Sequence, residues 1–141
     1  LGNVDKAIAG ENHLEAARSL RLALKLAPQR SDLWSRFADQ AILVSPDSDA
    51  RSTMLSESTG AAVLSYLRAV SLDDRVRALN SLANSLATRE TWDQAIRVLR
   101  YRLSLADDAT WRQAYEKWIS EHGFRVSDNS VDTNSSTPRD R

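Results

Sequence analysis

From Leu14 to Trp118 the apolar residues recur every three or four positions, and this spacing excludes most folds at once. A period near 3.6 lines one face of a helix, whereas a half-buried strand needs a period of two. Residues 13–27 carry Leu14, Ala17, Leu20, Leu24 and Ala27, and Pro28 follows as a stop. Residues 32–44 carry Leu33, Trp34, Phe37, Ala38, Ala41 and Ile42. Further helices are expected at 59–72, 74–88, 92–105 and 109–122, after the polar stretch SPDSDARSTMLSES at 45–58. With only 4 Gly and 3 Pro there is little material for hairpins, so the chain reads as all-α. Asn12 with Glu15, Thr91 with Gln94, and Thr110 with Gln113 have the capping-box spacing of helix starts. Asp73–Asp74 and Asp107–Asp108 are further N-cap candidates. His122 followed by Gly123 reads as the last helix exit.

Three helices share a register. Ala16, Leu20 and Ala23 are matched by Ala62, Tyr66 and Ala69, and by Ala95, Leu99 and Arg102. Pro28, Asp74 and Asp107 each follow twelve positions after the first alanine of their set. The pattern resembles the second helix of a tetratricopeptide repeat, a family with a repeat of about 34 residues. Ala62 and Ala95 lie 33 apart, while Ala16 and Ala62 lie 46 apart, so an insertion falls in the middle unit. The polar stretch 45–58 accounts for it. The expected architecture is therefore about three helical-hairpin units plus a capping helix over residues 1–122. Arg102 departs from the pattern, since a small residue is usual there.

Composition narrows the chemistry. Lys plus Arg and Asp plus Glu each total 19, giving zero formal charge, where a nucleic-acid binder carries a basic excess. No apolar run approaches the ~18 residues of a membrane helix. The absence of cysteine removes thiolate chemistry and Cys-based zinc sites, and leaves the compartment open. His13 and His122 stand at opposite ends of the helical array, and no glycine-rich phosphate loop is present. A non-enzymatic chain without a metal or cofactor is expected.

Two surfaces are candidates for protein contacts. In a repeat array the first helices of the units line a concave face, which by register includes Asp32, Ser35, Asp39, Ser81, Ser85 and Arg89. These residues do not supply the converging cations that a carboxylate-clamping groove needs. On the last helix Trp111, Tyr115 and Trp118 share a face at i, i+4, i+7 spacing. They are expected to close the end of the array; the alternative is a ledge that docks a following domain.

After Gly123 the segment FRV alternates like a strand and the rest is rich in Ser, Asn, Thr and Asp. The junction GFRVSDNSVDTNSSTPR (123–139), with WSRFADQA, TRETWDQAI and AYEKW upstream, resembles the helical N-terminal region of alphaproteobacterial alpha-2-macroglobulin family proteins. That resemblance implies a periplasmic or envelope-associated protease trap, in which this segment is an accessory module. It also implies that residues 123–141 are an extended linker into a following β domain. The chain begins at Leu1 without a signal pattern and is expected to be an excised segment. Its expected partners are proteins: neighbouring domains of the same chain, a peptide or a target protease, with no nucleic acid and no membrane insertion. The rival reading is a stand-alone cytosolic adaptor that binds a peptide in its concave face.

Overall fold

The structure is a computed structural model that describes residues 12–131, with side chains described as far as Gly123. It consists of α1 (His13–Leu26), α2 (Ser31–Ala41), α3 (Arg51–Leu67), α4 (Leu72–Thr88), α5 (Trp92–Leu105) and α6 (Ala109–Val131). Among the described residues there is no strand, and the chain is all-α.

Local chemistry sets most of the helix starts. At α1 the Asn12 side chain accepts from the Glu15 backbone N–H at 3.1 Å, as the capping-box spacing predicts. At α4 the cap is Ser71, which accepts from the Asp74 N–H at 3.0 Å. Asp73 and Asp74 lie inside its first turn, where carboxylates complement the helix dipole. At α6 the cap is Asp108, bonded to the Trp111 N–H at 3.0 Å, and not Thr110. Thr91 makes no side-chain cap bond.

The second expectation to be corrected concerns residues 45–58. Helix α3 begins at Arg51, so the insertion is a short loop followed by two extra helical turns. Arg51 fastens the start by donating to the carbonyls of Ile42 and Val44. Met54 and Ser58, four apart, then face inward and are buried. Ser58 donates to the Ala38 carbonyl at 2.8 Å, so a polar residue serves as a small core residue.

Each helix packs on its neighbour in the chain, and α2 also touches α4. Small residues make this possible. Ala16, Ala62 and Ala95, the first positions of the shared register, are all fully buried. Leu20, Leu24, Leu33, Phe37 and Val44 fill the space between α1, α2 and α3. Arg102 is buried as well; it donates to Asn80 Oδ1 at 2.7 Å and to the Ala106 carbonyl, with its guanidinium 5.9 Å from the Trp111 ring. Those partners explain a cation at a position that usually takes a small residue.

Helix α4 ends without glycine. Glu90 takes the left-handed conformation at φ 61°, while its N–H bonds Ala87 O and the Thr91 N–H bonds Leu86 O, both at 2.9 Å. This is a Schellman closure with a glutamate at the position that usually holds glycine. At the other end, helix α6 runs through Gly123 to Val131. The expected helix exit at Gly123 and the extended FRV segment are thus corrected: Gly123 has no positive φ and continues the helix. The reason is that no proline or left-handed turn interrupts α6 there. Residues 132–141 of the expected linker lie outside the described residues.

Replacing Glu90 with glycine is expected to stabilise the chain by about 0.5–1 kcal/mol, because a left-handed non-glycine residue costs roughly 1–2 kcal/mol and glycine's extra unfolded-state entropy offsets part of that. A chemical-denaturation midpoint that stays the same or falls would contradict this.

Candidate functional site

The residues placed by register on a concave face divide into two buried clusters and one surface pair. Ser35 and Ser81, both buried, approach at 2.6 Å where α2 meets α4, and Ser81 also hydrogen-bonds Asp39. Ser85 is buried beneath Thr59, with the two hydroxyls 2.8 Å apart, and Arg89 covers them by donating to Thr59 at 2.9 Å. Asp32 stays at the surface in a two-bond pair with Arg30. That pairing, chiefly its hydrogen bonds, lowers the Asp32 pKa and raises that of Arg30. Three of the expected binding residues are therefore corrected: Ser35 and Ser81, where α2 meets α4, and Ser85, where α4 meets α3, are buried helix-packing residues closed to a peptide, while Asp32 and Asp39 are half-buried and Arg89 is exposed.

The aromatic stripe of α6 lies along α5 and is half-buried. Trp118 meets Trp92 edge-on with ring centroids 5.6 Å apart, and His122 stacks on Trp92 at 3.8 Å. Tyr115 accepts from Arg100 Nε at 3.1 Å, and Trp111 lies against Arg102. Each partner belongs to α5, so Trp111, Tyr115 and Trp118 join α6 to α5 while all three stay half-buried. Elsewhere, His13 Nδ1 lies 2.7 Å from Gln40 Oε1, which requires the tautomer protonated at Nδ1. No group of three or more His, Asp or Glu side chains is placed to hold a metal among the described residues. No described helix is long and apolar enough to cross a membrane.

The open concavity lies on the other side of α2. Ser35 and Phe37 are two residues apart, which turns them about 200° from one another around the helix axis. While Ser35 faces α4, Phe37 and Trp34 form the floor of a groove of about 480 Å³ between α1 and α3. The backbones of α1 and α3 stay more than 8 Å apart, so the groove is not closed by helix contact. Leu24 supplies one wall; Gly60, Ala61 and Leu64 supply the other. A Cβ at Gly60 would have nothing within 4 Å, so this glycine leaves the α3 wall low. At one end Arg21 pairs with Glu57 and holds its guanidinium 5.5 Å from the Phe37 ring. At the other, Arg68 Nε and the Trp34 indole N–H both donate to the Pro28 carbonyl, at 3.3 and 2.7 Å. The volume is that of a ligand cleft, and its lining is almost wholly apolar. The equivalent gap between α3 and α5 is bridged by Tyr66 and Tyr101, whose hydroxyls are 3.3 Å apart.

Sequence reasoning named none of these residues as a site. Leu24, Trp34 and Phe37 carry the signature of core, and an absent side chain at Gly60 leaves no mark in a periodicity. The usable signal was the glycine itself, placed inside a helical pattern where it lowers helix stability and calls for a reason.

Two substitutions test this description. Gly60→Ala is expected to raise stability by about 0.5–1 kcal/mol, since alanine is the better helix former and its methyl meets no neighbour. Burial raises the Asp39 pKa above 3.8, and the Ser81 hydrogen bond only partly opposes it. The folded chain thus holds this proton to higher pH than the unfolded chain, and Asp39's contribution to stability falls as pH rises through that interval. Asp39→Asn should match the parent's denaturation midpoint near about pH 3 and exceed it at about pH 7; equal midpoints at both would refute the burial account. Compared with known proteins, the chain matches no family model, no curated protein and no solved structure.

Proposed function

We propose that this chain is a non-catalytic protein-interaction module, and that it docks its partner in the groove between α1 and α3. The observation that carries the reading is a ready-made apolar cleft of about 480 Å³ whose floor holds two aromatic rings and whose wall is lowered at Gly60. Clefts of this kind take amphipathic helices or apolar side-chain anchors. The polar clusters elsewhere are tied up in helix packing, which favours binding over catalysis.

Repeating helical hairpins of the tetratricopeptide type supply a coherent account of the scaffold. In this account α2 with α3 and α4 with α5 are successive units, α1 is the second helix of the unit before them, and α6 is the cap. The shared burial of Ala16, Ala62 and Ala95 supports it. The further reading, an accessory part of a periplasmic alpha-2-macroglobulin-like inhibitor, rests on the junction sequence and the helix texture upstream. Reading the coding sequence on both sides decides it: tandem β-sandwich domains after Arg141 support it, and their absence from the parent gene removes it.

Docking is tested by displaying random peptides against the chain, with Gly60→Trp as a counter-selection. The indole of that variant fills open space in the groove, and a thermal melt verifies its fold. Clones that bind the parent and lose at least tenfold on the variant are expected. A library with no such clones would sink the docking proposal.

A further inference from the structure

The charges around the groove specify more than an apolar ligand. Of the charged side chains that line or bound it, Arg21, Lys25 and Arg68 are cations and Glu57 is the anion, a net charge of +2. The whole chain has a formal charge of zero, so this rim departs from the molecule's average. Glu57 is already engaged by Arg21. Lys25 is exposed and makes no ion pair among the described residues, and Arg68 is exposed with only its Nε engaged, at Pro28. The two unneutralised cations stand toward the Pro28 end, on opposite sides of an apolar floor.

The dimensions limit the ligand too. From Arg21 to Leu26 the α1 wall is about 7.5 Å long at ~1.5 Å of helical rise per residue, and the turn at Pro28 ends it. The Arg21–Glu57 bridge closes one end, so a ligand lies between these bounds or leaves past Pro28. Two bulky apolar side chains at i, i+4 spacing match that length. Resting on the docking reading above, we infer that the partner segment is an acidic amphipathic helix. Its paired apolar anchors occupy the groove, and its carboxylates face Lys25 and Arg68. Rim charges of this sort set partner choice and association rate more than bulk affinity, so the signature is a preference between charge variants of one peptide. The recognition is local to this rim and does not extend to polyanions, because the chain as a whole is neutral and the remainder therefore carries the compensating negative charge.

The test uses a fluorescein-labelled peptide of about 12 residues, three helical turns. It carries Leu and Trp at i, i+4 on its apolar face and Glu on its polar face, and a second version has Lys at every Glu position. Fluorescence anisotropy at low ionic strength should show the Glu peptide binding about tenfold more tightly, with the preference shrinking as salt rises. The double variant Lys25→Glu with Arg68→Glu lies on the surface, spares the groove floor and should reverse the preference. Gly60→Trp should weaken the Glu peptide at least tenfold. Equal affinities, a preference for the Lys peptide, or no binding of either overturns the acidic-partner inference. The docking proposal survives that result if the library yields groove-dependent clones of another composition, and both fall if it yields none.

Discussion

The fold depends on how closely α2 can approach α3 and α4, and serine hydroxyls govern that approach. Six serines are buried: Ser31, Ser35, Ser58, Ser65, Ser81 and Ser85. Each is small enough to let two helix backbones come together, and each brings a donor that has to be satisfied away from water. The chain meets this need across helices. Ser31 and Ser65 each donate to the other's backbone carbonyl at 2.8 Å, Ser35 meets Ser81, and Ser58 reaches Ala38. A larger apolar residue at any of these places would separate the helices, and overpacking of this kind typically costs ~1–3 kcal/mol. The contact of α2 with α4, and therefore which face of α2 is sealed and which is open, follows from this set.

The same serines mark the boundary of what the sequence makes legible. The 3.6-residue period finds five of the six helix starts to within a few residues, because Leu20, Phe37, Leu79 and Ile96 carry a strong apolar signal. At 51–58 the inward positions are filled by Met54 and Ser58 amid Ser, Thr and Glu, and the stretch imitates a loop. The period alone cannot distinguish a serine that faces water from one that bonds a neighbouring carbonyl. Ser35, Ser81 and Ser85 are placed on an open face by repeat register, which cannot tell a solvated serine from one that bonds a neighbouring helix. Gly123 misled in the opposite sense: glycine permits a helix exit without requiring one. Glu90 shows the converse, a helix exit at a residue that gives no sign of it.

Viewed across α2, the molecule treats its two sides differently. The side toward α4 is closed where the buried hydroxyls of Ser35 and Ser81 meet at 2.6 Å. The side toward α1 is lined by Leu24, Trp34 and Phe37 and bounded by ion and backbone contacts at its ends. Closing it in the manner of the gap between α3 and α5 would need a bulky side chain reaching across, as Tyr66 and Tyr101 provide there. At Gly60 there is none. A partner helix would supply the missing side chains, and the glycine's low helix propensity is then the concession that keeps the space available.

The last helix has a consequence for dynamics. Among the described residues α6 packs on α5 alone, whereas α2 and α4 also touch each other. A linear stack of this kind behaves as a chain of nearest-neighbour couplings, so its end element can open without disturbing the middle. Amide protons in α6 should therefore exchange by local opening, while those of α2 and α4 report the global transition. The Trp92, Trp118 and His122 stack resists that opening together with the contacts of Tyr115 to Arg100 and Trp111 to Arg102. Replacement of His122 would change how often the end of the molecule swings free, and leave the groove at the other end untouched.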